Sequence, residues 1–509
     1  MPDVEGKNDR RFAIALTTLY AAWVVFVAMH HEPWRDEADA WLAARDMGLR
    51  QLFHWLGPAG WPGLWYLLLM PLAKAGLPVT AMKLLHAALA IGVVGLIAFF
   101  APFSRLMKVL IAFSYFIIYE YAAVSRGYVL TVLLLLLIAM VLSARERRYV
   151  LLGVLLFLLF NATTHGFLFA GAISAVVAVQ AIARREFSRP MVAGAIIAGI
   201  GGLLAFITLL PAAHGAPQGH MRRWPVIQYV LCEAFFPRVP HYYPAYFRET
   251  HGNHLLAYAA YYGLRTAGFV IVLAACALLA IRRRWDALAI VLLGWGAVNY
   301  IGVFKWFGDD RHAGLLFVLV VFGLWIAGPR GQAKWAGWES VDAAAYRFSH
   351  GILAASLLVA CAVGVLWSYH DIRWDYSGST EAAAYIRDHG LTKIPIVASG
   401  ATLSESILPE LPGTRFWYAS RHDYGTYVDW GGNWRADDKI PQREIRRRAD
   451  QQFPSQQYLL VIHEAPLKGS AAEGYRLVFE NTHHVFEHVE ERYYLYLRDD
   501  FTNGASQRP

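Results

Sequence analysis

The stretch HHEPWRDEADAW, residues 30–41, sets Asp36, Glu37 and Asp39 beside Arg35 directly after an apolar run that ends at Met29. A carboxylate held at a lipid–water boundary can take the proton of a hydroxyl while a lipid-borne reactant stays in the bilayer. Asp36, Glu37 and Asp39 are the carboxylates placed for that work. The first turn of a helix also favours acids by about 0.3–1 kcal/mol whatever the function. The segment therefore gains meaning only if other polar residues gather on the same side.

Two segments share that side. YEYAAVSRGY puts Glu120 and Arg126 at the ends of adjacent helices, and KWFGDDRHAG puts Lys305, Asp309, Asp310, Arg311 and His312 at another turn. Arginine grips phosphate oxygens bidentately and can stabilise charge that develops as a phosphate ester bond breaks. The same residues could equally pair among themselves as ordinary rim charge. His165 in NATTHG faces the same way, where a single histidine is more often a packing or hydrogen-bonding residue than a ligand. Arg222 and Arg223 in GAPQGHMRRW suit either a phosphate or anionic headgroups.

A membrane-embedded chain must position these residues. Of 509 residues, 57% are hydrophobic, 14% aromatic and only 17% charged, which excludes an ordinary soluble enzyme. Apolar runs predict eleven spans, at 12–29, 81–100, 109–124, 127–143, 149–163, 166–183, 190–211, 255–281, 286–304, 313–328 and 350–369. The first run, at 18 residues with no small-x-small site after it, reads as an uncleaved span rather than a signal peptide.

Alternate connections (KNDRR, SRLMK, SARERR, ARREFSR, IRRRWD and GPRGQAKWAGWESVDAAAYR) hold 17 Lys or Arg, against 3 in the short opposing ones and eight more in two long outer loops. The positive-inside rule puts the N-terminus in the cytoplasm. The net charge of +8 belongs mostly to these loops, so it points to lipid headgroups and not to nucleic acid. Cys232, Cys276 and Cys361 are scattered and offer neither a disulfide framework nor a CxxC pair.

Residues 30–80 form one outer loop. GLWYLLLMPLAKAGLP within it, broken by Pro71, Lys74 and Gly76, is an interfacial helix, since a span there would invert every later basic loop. Pro33 suits a helix start, and Trp34, Ala38, Trp41, Leu42, Arg45, Leu49, Leu52 and Phe53 then repeat at helical spacing, predicting a helix lying on the membrane aromatic side down. A second outer loop covers 212–254. From 371 to 509 the pattern alternates helical and strand-like segments, predicting a small extracytoplasmic α/β domain after a membrane domain of residues 1–370.

The segments WRDEADAW, GWPGLWYLLL and YEYAAVSRGYVL, with a large second outer loop and an outer soluble tail, resemble the polytopic glycosyltransferases of the GT-C fold. That class includes protein O-mannosyltransferases and bacterial aminoarabinose transferases. The resemblance covers roughly residues 10–370, with Trp61-Pro62-Gly63 standing where many relatives carry His-Pro-Pro. It implies a sugar donor carried on a polyprenyl phosphate or pyrophosphate, an acceptor outside the cytoplasm, and an inverting single displacement. In that reaction Asp36, with Glu37 its close rival, accepts the hydroxyl proton, and Arg126 or Arg311 steadies the departing lipid phosphate, with Arg35, Glu120, His165, Lys305, Asp310 and His312 around them. Some members of the class bind a divalent metal; Asp36, Glu37 and His165 are ligand types for one, though their spacing does not demand it.

Two other readings compete: a transporter or flippase of a lipid-linked or polar solute, and a non-catalytic envelope assembly factor. A transporter should place ionisable residues in mid-membrane. His86 is the main such residue here, whereas the charges collect at one rim.

Overall fold

The computed structural model describes residues 7–144, 146, 148–210, 223–240, 254–305, 310–329, 337–431, 440–469 and 472–499. Helix α1 (Lys7–His30) has 24 residues, about 36 Å at about 1.5 Å per residue, enough to cross a hydrocarbon core of about 30 Å. After it come three short helices, α2 (Arg35–Asp46), α3 (Leu49–Ala59) and α4 (Leu64–Lys74). The single amphipathic helix predicted over 34–53 is thus two, because the chain turns extended at Met47 and Gly48. Neither does α2 lie bare on the membrane. Trp41 and Ala44 join the core of the helical bundle, while Ala38 and Leu42 join the core of the C-terminal sheet. Helix α2 is sandwiched between the two, and its large buried side chains contribute about 1.5–3 kcal/mol each. Helix α4, at 11 residues with Pro71 inside, is too short to span, as expected for an interfacial segment.

Helix α5 (Thr80–Phe100) spans. The span predicted at 109–124 is not one helix: α6 (Arg105–Ala112) ends at Phe113, and a π-helical turn follows at Phe116–Glu120. Such wide turns aim side chains that a regular helix would hide, and this one ends on Glu120. Helices α7 (Tyr128–Ser143) and α8 (Tyr149–Phe160) are apolar but only 16 and 12 residues long. Helices α9 (Thr164–Arg184) and α10 (Arg189–Leu209) have full length. A Cβ on Gly194 of α10 would lie 2.2 Å from the carbonyl oxygen of Tyr149, and one on Gly153 of α8 would lie 2.3 Å from that of Gly194. The two helices touch backbone to backbone, the close approach that small residues allow in membranes.

Then come α11 (Arg223–Glu233), α12 (His254–Ile281), α13 (Trp285–Phe304), α14 (Asp310–Ala327) and α15 (Glu339–Arg373). Among the described residues eight helices are long and apolar enough to cross a membrane: α1, α5, α9, α10, α12, α13, α14 and α15. Helix α14 is buried along almost its whole length and forms the centre of the bundle. At its far end from the acidic rim, Arg282 just beyond α12 is 1% exposed and grips Asp342 of α15 with two bonds of 2.6 and 3.0 Å. It also donates to the carbonyls of Ala327, Gly328 and Pro329.

The tail opens with α16 (Ser379–Asp388) and forms a six-stranded sheet from β1 (Ile396–Ala398), β2 (Phe416–Tyr418), β3 (Asp423–Gly425), β4 (Leu459–His463), β5 (Tyr475–Glu480) and β6 (Tyr493–Arg498). The order is β3-β2-β1-β4-β6-β5, with β1 parallel to β2 and β4 and the other pairs antiparallel. Helix α17 (Gln442–Gln452) covers one face through Ile445 and Ala449, and α2 with α16 covers the other. The all-apolar β1, and β4 up to its final His463, are buried on both faces, as central strands require. The outer loop predicted at 212–254 falls partly outside the described residues, which there begin at 223 and break off after 240.

Candidate active site

Trp34 precedes α2 in an extended conformation, so Asp36 and Glu37 sit in the first helical turn and diverge around its axis. Asp36 turns to the rim, its side chain 34% exposed. There its Oδ2 accepts a hydrogen bond from Arg126 Nη1, with Arg311 Nη1 at 3.6 Å. Arg35 approaches the other oxygen at 3.9 Å. Glu120 stands 3.9 Å from the far side of Arg311 and accepts a bond of 3.0 Å from Tyr115.

Two indole rings hold this cluster. The guanidinium carbons of Arg35, Arg126 and Arg311 lie 5.5, 5.8 and 5.0 Å from the ring centre of Trp34, and Arg126 also sits 5.2 Å from Trp61. Stacking of this kind orients a planar guanidinium without consuming its hydrogen-bond donors. Trp34 is itself stacked on His488 of the tail, with ring centres 3.9 Å apart and planes at 5°. The backbone N–H of Arg35 donates to Glu491 at 3.0 Å, and its side chain faces Glu490 at 3.8 Å.

Burial by itself would raise the Asp36 carboxyl, but Arg126, Arg311 and Arg35 outweigh it and bring it down to about 2. Asp36 is ionised, and three cations share it with Glu120. Arg35 is shared with Glu490 and Arg311 with Glu120, so an anion that enters here competes with these carboxylates for the arginines.

Glu37 occupies a different environment. It is fully buried, and its Oε2 lies 2.9 Å from His31 Nε2 and accepts from the backbone N–H of Trp34 at 3.3 Å. Its Oε1 accepts from the backbone N–H of Ser125 at 2.5 Å. The other His31 nitrogen lies 2.8 Å from Asp371, near the end of α15. Burial would lower His31, yet Asp371 and Glu37 carry it up to about 10. This carboxylate–imidazolium–carboxylate chain is shut off from any substrate.

Other predicted residues fall into place one by one. His312 accepts or donates 2.6 Å from Tyr128 Oη and stacks on His165, with centres 4.8 Å apart. Asp310 turns from the cluster to Tyr229 and Arg238, the latter at 2.5 Å. Lys305 ends α13 exposed, among none of the contacts described for Asp36. Asp309 and Arg222, and the side chain of Arg223, lie outside the described residues. His86 is no mid-membrane relay: its two nitrogens meet the carbonyls of Ala122 and Arg126, each at 3.1 Å, so it pins the turn that presents Arg126. Asp36, Glu37 and His165 have separate partners and do not form a shared metal site; the described group of metal-type residues close enough to share an ion lies elsewhere.

No family model matches the chain, and neither does any curated protein. Two solved structures are similar to it over nearly their whole length. ArnT from Cupriavidus metallidurans in the apo state is 13% identical, with 95% of this chain and 97% of that one covered and a TM-score of 0.44. The same enzyme bound to undecaprenyl phosphate is 12% identical, covering 97% and 98%, with a TM-score of 0.42.

Several residues of the rim carry no sequence signal. His31, Trp34 and Asp39 stand in the conspicuous stretch, but Asp371, His488, Glu490 and Glu491 lie hundreds of positions away. Asp39 is mostly buried, and burial pushes its carboxyl up to about 7 against a hydrogen bond of 3.1 Å from Trp430 of the tail. The acidic run EHVEER, residues 487–492, is a signal that could have pointed the tail at the arginines.

Proposed function

We propose that the chain is a membrane glycosyltransferase that moves a sugar from a polyprenyl-phosphate donor to an acceptor hydroxyl outside the cytoplasm. The observation that carries the reading is a solvent-reaching carboxylate, Asp36, ringed by Arg35, Arg126 and Arg311 at the edge of an apolar bundle. A polyprenyl phosphate, the class of ligand in the bound ArnT structure, suits this edge: its tail stays in lipid and its phosphate takes the arginines.

In the reaction the acceptor O–H bond gives its proton to Asp36 and the oxygen bonds to the anomeric carbon. The bond from that carbon to the phosphate oxygen breaks, and its electron pair leaves with the lipid phosphate. Attack opposite the leaving group inverts the anomeric centre. Arg126 and Arg311 meet the charge gathering on the phosphate. On this reading Glu37, predicted as the rival base, is a positioning residue, because its oxygens are committed to His31, Trp34 and Ser125. Residues 1–370 form the catalytic membrane domain of an inner-membrane protein with a cytoplasmic N-terminus, and 371–509 its extracytoplasmic α/β domain. The basic loops support that orientation.

The test is purified protein in detergent with a radiolabelled polyprenyl-phosphate sugar and envelope acceptors. Wild type transfers label without a sealed compartment, which pure transport cannot do. Asp36→Asn lowers the rate by about 10²- to 10⁴-fold with unchanged insertion. Full transfer by that variant overturns the assignment.

A further inference from the structure

Away from the rim, three side chains from three separate segments converge where the last span hands over to the tail. Asp375 follows α15 by two residues, Glu381 lies in α16, and His483 lies between β5 and β6. Each offers one ligand atom, and these atoms all lie within 4.8 Å of one another. His483 Nδ1 is 3.3 Å from Asp375 Oδ2. That oxygen is shielded from solvent and accepts no hydrogen bond, so the imidazole is its near polar neighbour.

We propose that Asp375, Glu381 and His483 bind one divalent transition-metal ion of the zinc class, which staples the tail to the end of the last span. Two carboxylates and an imidazole, with a water in the fourth position, are a zinc-type set, and too few oxygens for calcium. The supports behind the ligands are already in place. Glu381 Oε1 accepts from the Thr482 hydroxyl at 2.5 Å and its N–H at 3.1 Å; Oε2 accepts from Asn481 at 2.9 Å and from the same N–H at 3.2 Å. The Asp375 N–H donates to the His484 carbonyl at 3.1 Å, and its own carbonyl accepts from Phe486 at 2.9 Å. The His483 side chain is 66% exposed, which gives an ion a way in.

The site matters beyond itself because the segment it anchors runs on to His488, Glu490 and Glu491, which wall Trp34 and Arg35. It holds whether or not the chain transfers sugar.

Purified full-length protein is stripped with a chelator, reloaded with Zn²⁺, desalted and assayed for bound metal, with Co²⁺ absorption as a second readout. Wild type retains one equivalent more than His483→Ala or Asp375→Asn, and His483→Cys retains it too. Zn²⁺ also slows proteolysis of the tail in wild type and not in His483→Ala. Since His483 is largely exposed, its variant elutes as wild type does on size exclusion; should it aggregate, His483→Gln serves. Equal zinc in wild type and the variants, or none in any, overturns the proposal.

Discussion

Asp36 and Arg126, separated by 90 positions in the chain, meet as an ion pair at the rim, and the residue beside each makes a second bond, Glu37 to the N–H of Ser125. Two adjacent acids thus bracket two adjacent residues of the turn after the π-helical segment. The outer bond reaches solvent and the inner one is buried. In the proposed reaction a lipid phosphate competes with Asp36 for Arg126 and Arg311. Losing them moves the carboxyl up from about 2, so Asp36 becomes a better base once the donor is bound.

Arg126 is expected to be worth more than its charge. Arg126→Ala should lower transfer about 10²- to 10³-fold, and Arg126→Lys at least about tenfold, because an ammonium cannot fork onto two oxygens or stack between Trp34 and Trp61. Initial rates at saturating donor decide it. A lysine variant at the wild-type rate would mean that the site needs only a positive point charge.

Glu37→Gln and Asp36→Asn should separate stability from chemistry. Removing the buried partner of His31 costs about 3–5 kcal/mol, so Glu37→Gln melts well below wild type in detergent. Asp36→Asn, at the solvent edge, melts within a degree or two of wild type while losing transfer. Equal melting temperatures for the two variants would contradict the burial described for Glu37.

The His31 chain also fixes a pH dependence. Its folded value is about 10 against 6.5 for the free group, so the folded state binds the proton more tightly. The stabilisation is complete below about pH 6.5 and drains away as pH rises through 10. Glu37, held below its ordinary 4.5 by His31 and the two N–H groups against the burial that would raise it, acts in the opposite sense and stabilises less as pH falls. The melting gap between wild type and His31→Asn should therefore be wide near pH 6.5 and close toward pH 10. A gap independent of pH would show that His31 is neutral.

Arg282→Ala should fail for reasons unrelated to transfer. It strands Asp342, 1% exposed, and three carbonyls, at about 3–5 kcal/mol. Expression and monodispersity report it, and Arg282→Ala with Asp342→Ala should recover part of the loss.

The outline of the fold was legible because hydropathy and loop charge act over short windows. Runs such as Thr80–Phe100 and Arg189–Leu209 announce themselves, and the alternation in the tail gave its helices and most strands. What failed were interruptions set by tertiary packing: the break at Gly48, and the π-helical turn inside the run 109–124, where Tyr121 Oη bonds the carbonyl of Arg311 at 2.5 Å. In the site, Asp36, Arg126 and Arg311 stood out as charges at predicted span ends. The distinction between Asp36 and Glu37 did not, because a step of one residue around the helix decides which faces water, and the His31 that Glu37 meets is held in turn by Asp371, 340 positions away.

The tail's grip on the rim has a temporal side. Arg35 receives its backbone partner Glu491 456 residues later, so every membrane helix is synthesised before Trp34 acquires the ring that stacks on it. The newborn chain is inserted with an unfinished mouth, and only the arrival of its last β-hairpin closes it. Assembly order makes the C-terminus a checkpoint: a chain cut short before residue 488 keeps its arginines and its aspartate but loses the ring behind Trp34 and the carboxylates that face Arg35.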